Sequence, residues 1–117
     1  TRYYLGRLYV MMNRYGEAIS AYEEVIDIDP NFHPAYLELA RILGEKEIDV
    51  DRALKLARKA VDLKPTAQTF DLLAWLCFKR GMYEEAEKAI ERALELAPSD
   101  ESIIRHRENM RRNMRYR

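Results

Sequence analysis

Two histidines, one cysteine and a few paired carboxylates are the side chains here that could support catalysis or metal binding, and their spacing argues against both. His33 and His106 stand 73 positions apart, and neither has a second ligand at the short spacing that zinc sites use. Each is read as a partly exposed turn or surface residue. The carboxylates come as Glu23-Glu24, Glu45-Lys46-Glu47 and Glu84-Glu85, on helical faces where charge meets solvent. Catalysis needs polar groups converging on one point, and no glycine-rich phosphate loop or nucleophile elbow is present. Cys77 is the single cysteine, which excludes an internal disulfide, and its apolar surroundings point to a buried, unreactive thiol. The sequence therefore predicts no catalytic residue, no metal site and no cofactor; the chain is read as not an enzyme.

What remains is a chain built to make a surface. Its 117 residues suit one domain, 48% of them apolar and 34% charged, a mixture typical of folded proteins. With only 4 Gly and 4 Pro, long irregular loops are not expected, and the abundance of Ala, Leu, Glu, Lys and Arg favours helix. The 20 basic and 20 acidic side chains cancel, so no bulk attraction to nucleic acid or anionic membrane is expected. No apolar run approaches the ~20 residues of a membrane-spanning helix, and a cytoplasmic location is expected. The charge is unevenly spread: residues 105–117 carry six Arg against Glu108. That basic end admits three readings: cations complementing a helix C-terminus, a contact toward a further domain, or an RNA or anionic-lipid site with Tyr116 as its nearby aromatic.

The elements repeat. Three segments end in Pro30, Pro65 and Pro98, and 12 residues before each stands an alanine: Ala18, Ala53 and Ala86. Between them apolar residues fall at i, i+4, i+7 and i+8, as in Ala18, Tyr22, Val25 and Ile26, the face of an amphipathic helix that proline then stops. The preceding segments align in columns 34 apart: Leu5, Leu39 and Leu73; Gly6, Ala40 and Ala74; Tyr9, Leu43 and Cys77. A small residue beside a large one lets two antiparallel helices approach closely. The second helices are spaced by 35 and then 33, which places a one-residue insertion in the turn between Leu43 and Ala53 and a one-residue deletion after Pro65. Seven helices are predicted, at about 2–12, 16–28, 34–45, 50–63, 67–80, 83–96 and 99–114, with Asn31, Thr66 and Ser99 as caps.

A 34-residue period with Leu–Gly/Ala–Tyr, then Ala–Tyr/Phe, then Pro resembles the tetratricopeptide repeat. The third unit carries Phe70, Leu73, Ala74, Cys77, Gly81, Tyr83, Ala86, Ile90, Ala93 and Pro98. The first carries Leu5, Gly6, Tyr9, Tyr15, Ala18, Tyr22, Val25 and Pro30. The second departs most, with Leu43 and Ala57 at aromatic positions. The resemblance implies an all-α, right-handed solenoid of three helical hairpins (units about 1–32, 33–66 and 67–98) plus a capping helix at about 99–114, in a single domain over 1–117. Arg2 stands where the signature has a large residue, and the sequence is read as beginning inside a repeat. Ile103 and Ile104 are expected to pack on the third unit, with His106, Glu108, Asn109, Arg111, Arg112 and Asn113 in water. Tyr4, Leu8 and Met12 are expected to be exposed and adhesive, a surface for self-association.

The resemblance also implies a function: a protein-interaction scaffold or adaptor that binds a peptide or protein segment in a concave groove lined by the first helices. Projecting those helices from their core columns puts Tyr3, Arg7, Val10, Leu37, Arg41, Asp71, Trp75, Phe78 and Arg105 in the groove. Aromatic residues and Arg dominate many interfaces. The alternative for Trp75 and Phe78 is packing against the capping helix. Some family members clamp a partner's terminal carboxylate with Lys and Asn; those positions carry Tyr3, Arg7, Glu38, Gln68 and Leu72 here, and Glu38 would repel a carboxylate. The alternative functions are a regulatory or targeting segment of a larger enzyme or signalling protein, and a self-assembling array.

Overall fold

The computed structural model describes residues 1–115 and is all helical among them. Seven helices run α1 (Arg2–Met11), α2 (Tyr15–Ile28), α3 (His33–Glu45), α4 (Val50–Leu63), α5 (Ala67–Lys79), α6 (Tyr83–Leu96) and α7 (Glu101–Arg115). This is the all-α helical repeat expected from the column pattern. The chain divides into two compact units, Thr1–Leu63 and a second that begins at Lys64. In the first, α1 pairs with α2 and α3 with α4, and α2 also packs on α3; in the second, α5 pairs with α6, and α7 lies on α6 and more lightly on α5. Among the described residues no helix is long and apolar enough to cross a membrane.

The columns are the core. Ala18, Ala53 and Ala86, one per hairpin, are each fully buried, as are Ala40 and Ala74. At the equivalent Gly6 the approach is tighter: a Cβ placed there would lie 2.7 Å from the Tyr22 ring. Gly6 is glycine because the fully buried Tyr22 ring occupies the space a methyl would take. Cys77 is buried too, as its column predicts.

Each hairpin closes on one residue with left-handed backbone: Asn13 at φ 59°, Glu47 at φ 53° and Gly81 at φ 78°. These three are spaced by 34, and the residue after each donates its N–H back to the same helical carbonyl. The bonds are Arg14 N to Tyr9 O at 2.8 Å, Ile48 N to Leu43 O at 3.0 Å and Met82 N to Cys77 O at 2.9 Å, the Schellman closure of a helix end. The next helix starts two residues later at Tyr15 and Tyr83 but three later at Val50. The extra residue therefore lies within the pair Ile48 and Asp49: Ile48 makes the Schellman bond of Arg14 and Met82, and the Asp49 carbonyl accepts from Ala53 N at 3.0 Å as theirs accept from Ala18 N and Ala86 N. After Pro65 the next helix starts one residue sooner than after Pro30 or Pro98, which locates the compensating deletion. Glu47 alone of the three has a side chain ill suited to positive φ. A Glu47→Gly variant is expected to gain about 0.5–1 kcal/mol, the left-handed penalty less the entropy of glycine. It would be read as a higher urea midpoint at unchanged slope.

The expected caps are partly replaced. Thr66 forms a full capping box: its hydroxyl accepts from Thr69 N at 3.1 Å, while Thr66 N donates to Thr69 Oγ1 at 2.9 Å. Thr69 is buried and still satisfied, its hydroxyl lying 3.1 Å from the Lys64 carbonyl. Asn31 does not cap α3, which begins after Phe32 with no side-chain cap and with Pro34 in its first turn; proline needs no N–H partner there. Ser99 yields to Asp100, whose carboxylate accepts from Ser102 N at 3.0 Å and Ile103 N at 3.2 Å. A carboxylate serves the positive end of the helix better than a hydroxyl.

The expectation for α7 also needs correction. Ile103 and Met110 are both buried, and Met110 was not among the expected anchors. Arg111 does not simply face water. It donates to Glu87 at 3.2 Å and to Glu91 at 2.9 Å on α6, and Arg107 reaches Glu91 at 3.5 Å. The hydrogen bond that Arg111 donates to Glu87 raises its pKa above the ordinary value. Arg107 and Arg111 of the basic end thus meet an acidic face of α6, a role outside the three readings drawn from sequence; Tyr116 and Arg117 lie outside the described residues.

Candidate functional site

The nine residues projected onto the groove fall on two stations, one in each unit. In the first unit α1 carries Tyr3, Arg7 and Val10 at i, i+4 and i+7, one helical face, and α3 carries Leu37 and Arg41. Arg7 is exposed; Tyr3, Val10 and Arg41 are half-buried. Leu37 is only 8% exposed, so its side chain is part of the packing and offers little to a ligand. Arg41 is held by Glu38 at 3.0 Å.

Tyr3, Arg7, Glu38 and Arg41 act on one electrostatic neighbourhood. Burial raises the pKa of the Tyr3 phenol, Glu38 raises it further, and Arg7 and Arg41 oppose them. The fully buried Tyr22 phenol responds to the same four groups: burial pushes its pKa well up, followed by Glu38 and Tyr3, against Arg7 and Arg41. Its hydroxyl has no hydrogen-bond partner among the described residues. The Tyr3 ring meets Phe32 edge-on at 5.2 Å between centroids, Tyr4 at 5.4 Å and Tyr22 at 5.9 Å, so Tyr3 is anchored by aromatic packing. This station pairs a fixed aromatic with two cations, one of them already neutralised by Glu38.

In the second unit α5 carries Asp71, Trp75 and Phe78, again at i, i+4 and i+7, and α7 carries Arg105. The neighbouring Leu72, Leu73, Ala74, Leu76 and Cys77 are buried, while Trp75 and Phe78 stay half-buried. The Lys79 ammonium lies 4.5 Å from the centroid of the Trp75 ring, a cation–π contact. The Phe78 ring meets Tyr83 of α6 at 5.7 Å between centroids. Asp71 is tied to His106 of α7, whose Nδ1 lies 2.9 Å and 3.0 Å from the two carboxylate oxygens. Arg105 is exposed.

Sequence reasoning missed three contacts, those of Glu38 with Arg41, Lys79 with Trp75 and His106 with Asp71. Glu38 was legible, since it stands three before Arg41, the spacing of helical ion pairs. Lys79, four after Trp75, gave the same local signal. His106 gave none: its partner Asp71 is 35 residues away, and only the docking of α7 on α5 brings them together. The station chemistry is that of recognition, with aromatic faces, cations and charge pairs. Among the described residues no group of three or more His, Cys, Asp or Glu side chains gathers as a metal site.

Known proteins share this organisation. The tetratricopeptide repeat pattern matches residues 1–32 and again residues 67–100. A STIP1 homolog of Dictyostelium discoideum is 30% identical over 90 residues, spanning 76% of this chain and 16% of that protein. The human protein O-mannosyl-transferase TMTC1 is 30% identical over 101 residues, 86% of this chain and 11% of that protein. The chain thus spans less than a fifth of either relative. The first repeat domain of Spaghetti (RPAP3), solved with the HSP90 peptide SRMEEVD, superposes with a TM-score of 0.89 at 23% identity, over 97% of this chain and 90% of that one.

Proposed function

Because the chain belongs to the tetratricopeptide repeat family, we propose that it is a recognition module holding a segment of another protein against its first-helix faces. The observation that carries this reading is Trp75. It is an indole left half open on a helix whose neighbouring positions are buried, with a cation set against its ring. Such a side chain is costly to leave in water and is the type most enriched among residues that dominate binding. Tyr3, Arg7, Val10 and Arg41 form the first-unit station; Asp71, Trp75, Phe78 and Arg105 form the second.

The partner that fits is an extended or helical peptide with apolar anchors and some acidic character. An acidic chaperone tail of the kind bound to the RPAP3 domain fits less well. Of the positions that clamp a carboxylate in such relatives, Glu38 carries the wrong charge and Leu72 is buried; Arg7 alone supplies a free-standing cation. No catalytic step is assigned to the chain. A second reading, a regulatory or targeting segment within a larger enzyme, is favoured by one observation: a relative 30% identical over most of this chain is named for a transferase of which the match spans 11%.

Capture from a displayed peptide library tests the first reading, comparing the native chain with a Trp75→Ala, Arg41→Glu double variant. Native protein is expected to enrich one peptide family, and the variant to lose it by about 30-fold or more, since a hot-spot tryptophan is worth about 2 kcal/mol. Equal capture by both proteins would remove these stations as the recognition site.

A further inference from the structure

The core columns single out one hydroxyl. The position four after Ala18, Ala53 and Ala86 holds Tyr22, Ala57 and Ile90, all three buried. Ala57 and Ile90 have no polar side-chain atom, so packing in this column does not call for one. Tyr22 brings one, and its buried hydroxyl has no hydrogen-bond partner among the described residues. Tyr36, also buried, shows the ordinary outcome: its hydroxyl donates to the Pro30 carbonyl at 2.7 Å. Phenylalanine would fill the place of the Tyr22 ring without burying an unpaired donor. The hydroxyl is thus surplus to the packing of the first unit.

The tip of this ring lies on the first-unit station. A Cβ at Gly6 would stand 2.7 Å from ring carbon Cε1 and 2.9 Å from Cζ, and Cζ is the carbon that bears the hydroxyl. Gly6 shares one face of α1 with Tyr3, Arg7 and Val10, at i, i+3, i+4 and i+7. The Tyr3 ring stands 5.9 Å from the Tyr22 ring between centroids. From α3, Glu38 and Arg41 act on the same phenol. Burial first, then Glu38, push its pKa well up, so it remains a donor at neutral pH. Glu38 and Arg41 are long side chains, 23% and 40% exposed, and a bound segment can displace them by rotamer changes without shifting α3. The acceptor that suits the site is a neutral one, because Glu38 opposes a second carboxylate there.

We propose that the Tyr22 hydroxyl donates to a main-chain carbonyl oxygen of the bound segment, at the floor of the station formed by Tyr3, Arg7, Val10 and Arg41. This rests on the recognition reading above and adds to it a contact that is blind to the segment's side chains. It sets where the main chain of the segment runs, and leaves selection among sequences to the aromatic and charged groups around it.

Tyr22→Phe tests the hydroxyl alone. Its urea midpoint is expected to equal or exceed that of the native chain, since no bond within the chain is lost. Tyr36→Phe does lose one and is expected to fall below it. Binding is then read by fluorescence anisotropy on a fluorescein-labelled peptide of the family that the native chain enriches from the display library. Tyr22→Phe is expected to bind it about 10-fold or more weakly, because the hydroxyl is already desolvated in the folded chain and its new bond displaces no other. Tyr36→Phe is expected to bind as the native chain does. Replacing the peptide's amides by esters one at a time weakens each carbonyl as an acceptor. One such replacement is expected to weaken binding to the native chain and to leave binding to Tyr22→Phe unchanged. A lowered urea midpoint for Tyr22→Phe, an undiminished affinity, or coupling to a peptide side chain in place of an ester would each overturn the proposal while leaving the recognition reading intact. Enrichment of no peptide by the native chain would remove that reading, and the role of this hydroxyl with it.

Discussion

A Tyr22→Ala variant is expected to lose about 3–5 kcal/mol of unfolding free energy, the range for deleting a buried aromatic ring. Tyr22 is fully buried and supports α1 through the missing side chain of Gly6, so its removal leaves α1 without the surface it rests on. Against a typical total of about 5–15 kcal/mol, this loss takes much of the stability of the first unit. Urea unfolding measures it, and hydrogen exchange should show the loss concentrated in α1 and α2. Gly6→Ala approaches the same contact from the other side. Its methyl would lie 2.7 Å and 2.9 Å from two Tyr22 ring carbons, and a buried ring cannot swing clear. Overpacking of about 1–3 kcal/mol is expected to outweigh the roughly 1 kcal/mol that alanine gains in a helix. In the double variant the clash vanishes with the ring, so the two losses should add to clearly less than their sum.

The second large effect concerns how α7 is held. Its attachment has two parts, the buried pair Ile103 and Met110 and the ion pairs from Arg107 and Arg111 to Glu87 and Glu91. Magnitudes decide between them. Truncating a buried aliphatic side chain costs about 2–4 kcal/mol, whereas a partly exposed ion pair contributes about 0–1 kcal/mol and is screened by salt. The Arg111 guanidinium and its two partners are each a third to a half exposed. Ile103→Ala is therefore expected to destabilise the second unit by about 2–4 kcal/mol and Arg111→Ala by under about 1 kcal/mol. Stability of the native chain should change little on raising sodium chloride to about 1 M. Urea titrations of both variants at low and high salt check the ranking. If Arg111→Ala proves the more damaging, the ion pairs dominate the attachment.

The helices were legible because burial imposes periodicity. Leu5, Leu39 and Leu73 announce their period in residue type, and each proline announces an end. The left-handed turn residues were legible only in part. Asn13 and Gly81 advertise positive φ, but Glu47 does not, and only the Schellman bond closing the α3 end compels it. For the same reason the insertion could be confined to a turn but not to the pair Ile48 and Asp49. Capping failed where two polar residues stood side by side: Ser99 and Asp100 both qualify, and electrostatics at the helix start selected the carboxylate. Within the candidate stations Arg7, Trp75 and Phe78 stay at least partly open, whereas Leu37 is buried, because side chains at the edge of a core stripe are drawn in or left out by neighbours on other helices. The Asp71–His106 pair lay beyond any local rule.

The acidic and basic faces between α6 and α7 also bear on the order in which the chain acquires structure. Glu87 and Glu91 stand four apart on α6, and Arg107 and Arg111 stand four apart on α7. Like charges at that spacing oppose a helix standing alone, and with the further cations Arg105 and Arg112, α7 gathers more positive charge than it can balance from Glu101 and Glu108. Neither helix is favoured by this arrangement until the other arrives, when repulsion along each becomes attraction between them. Alone, α7 is disfavoured by about 0.2–0.5 kcal/mol for each like-charge pair; with the third hairpin in place, the same cations help hold it there.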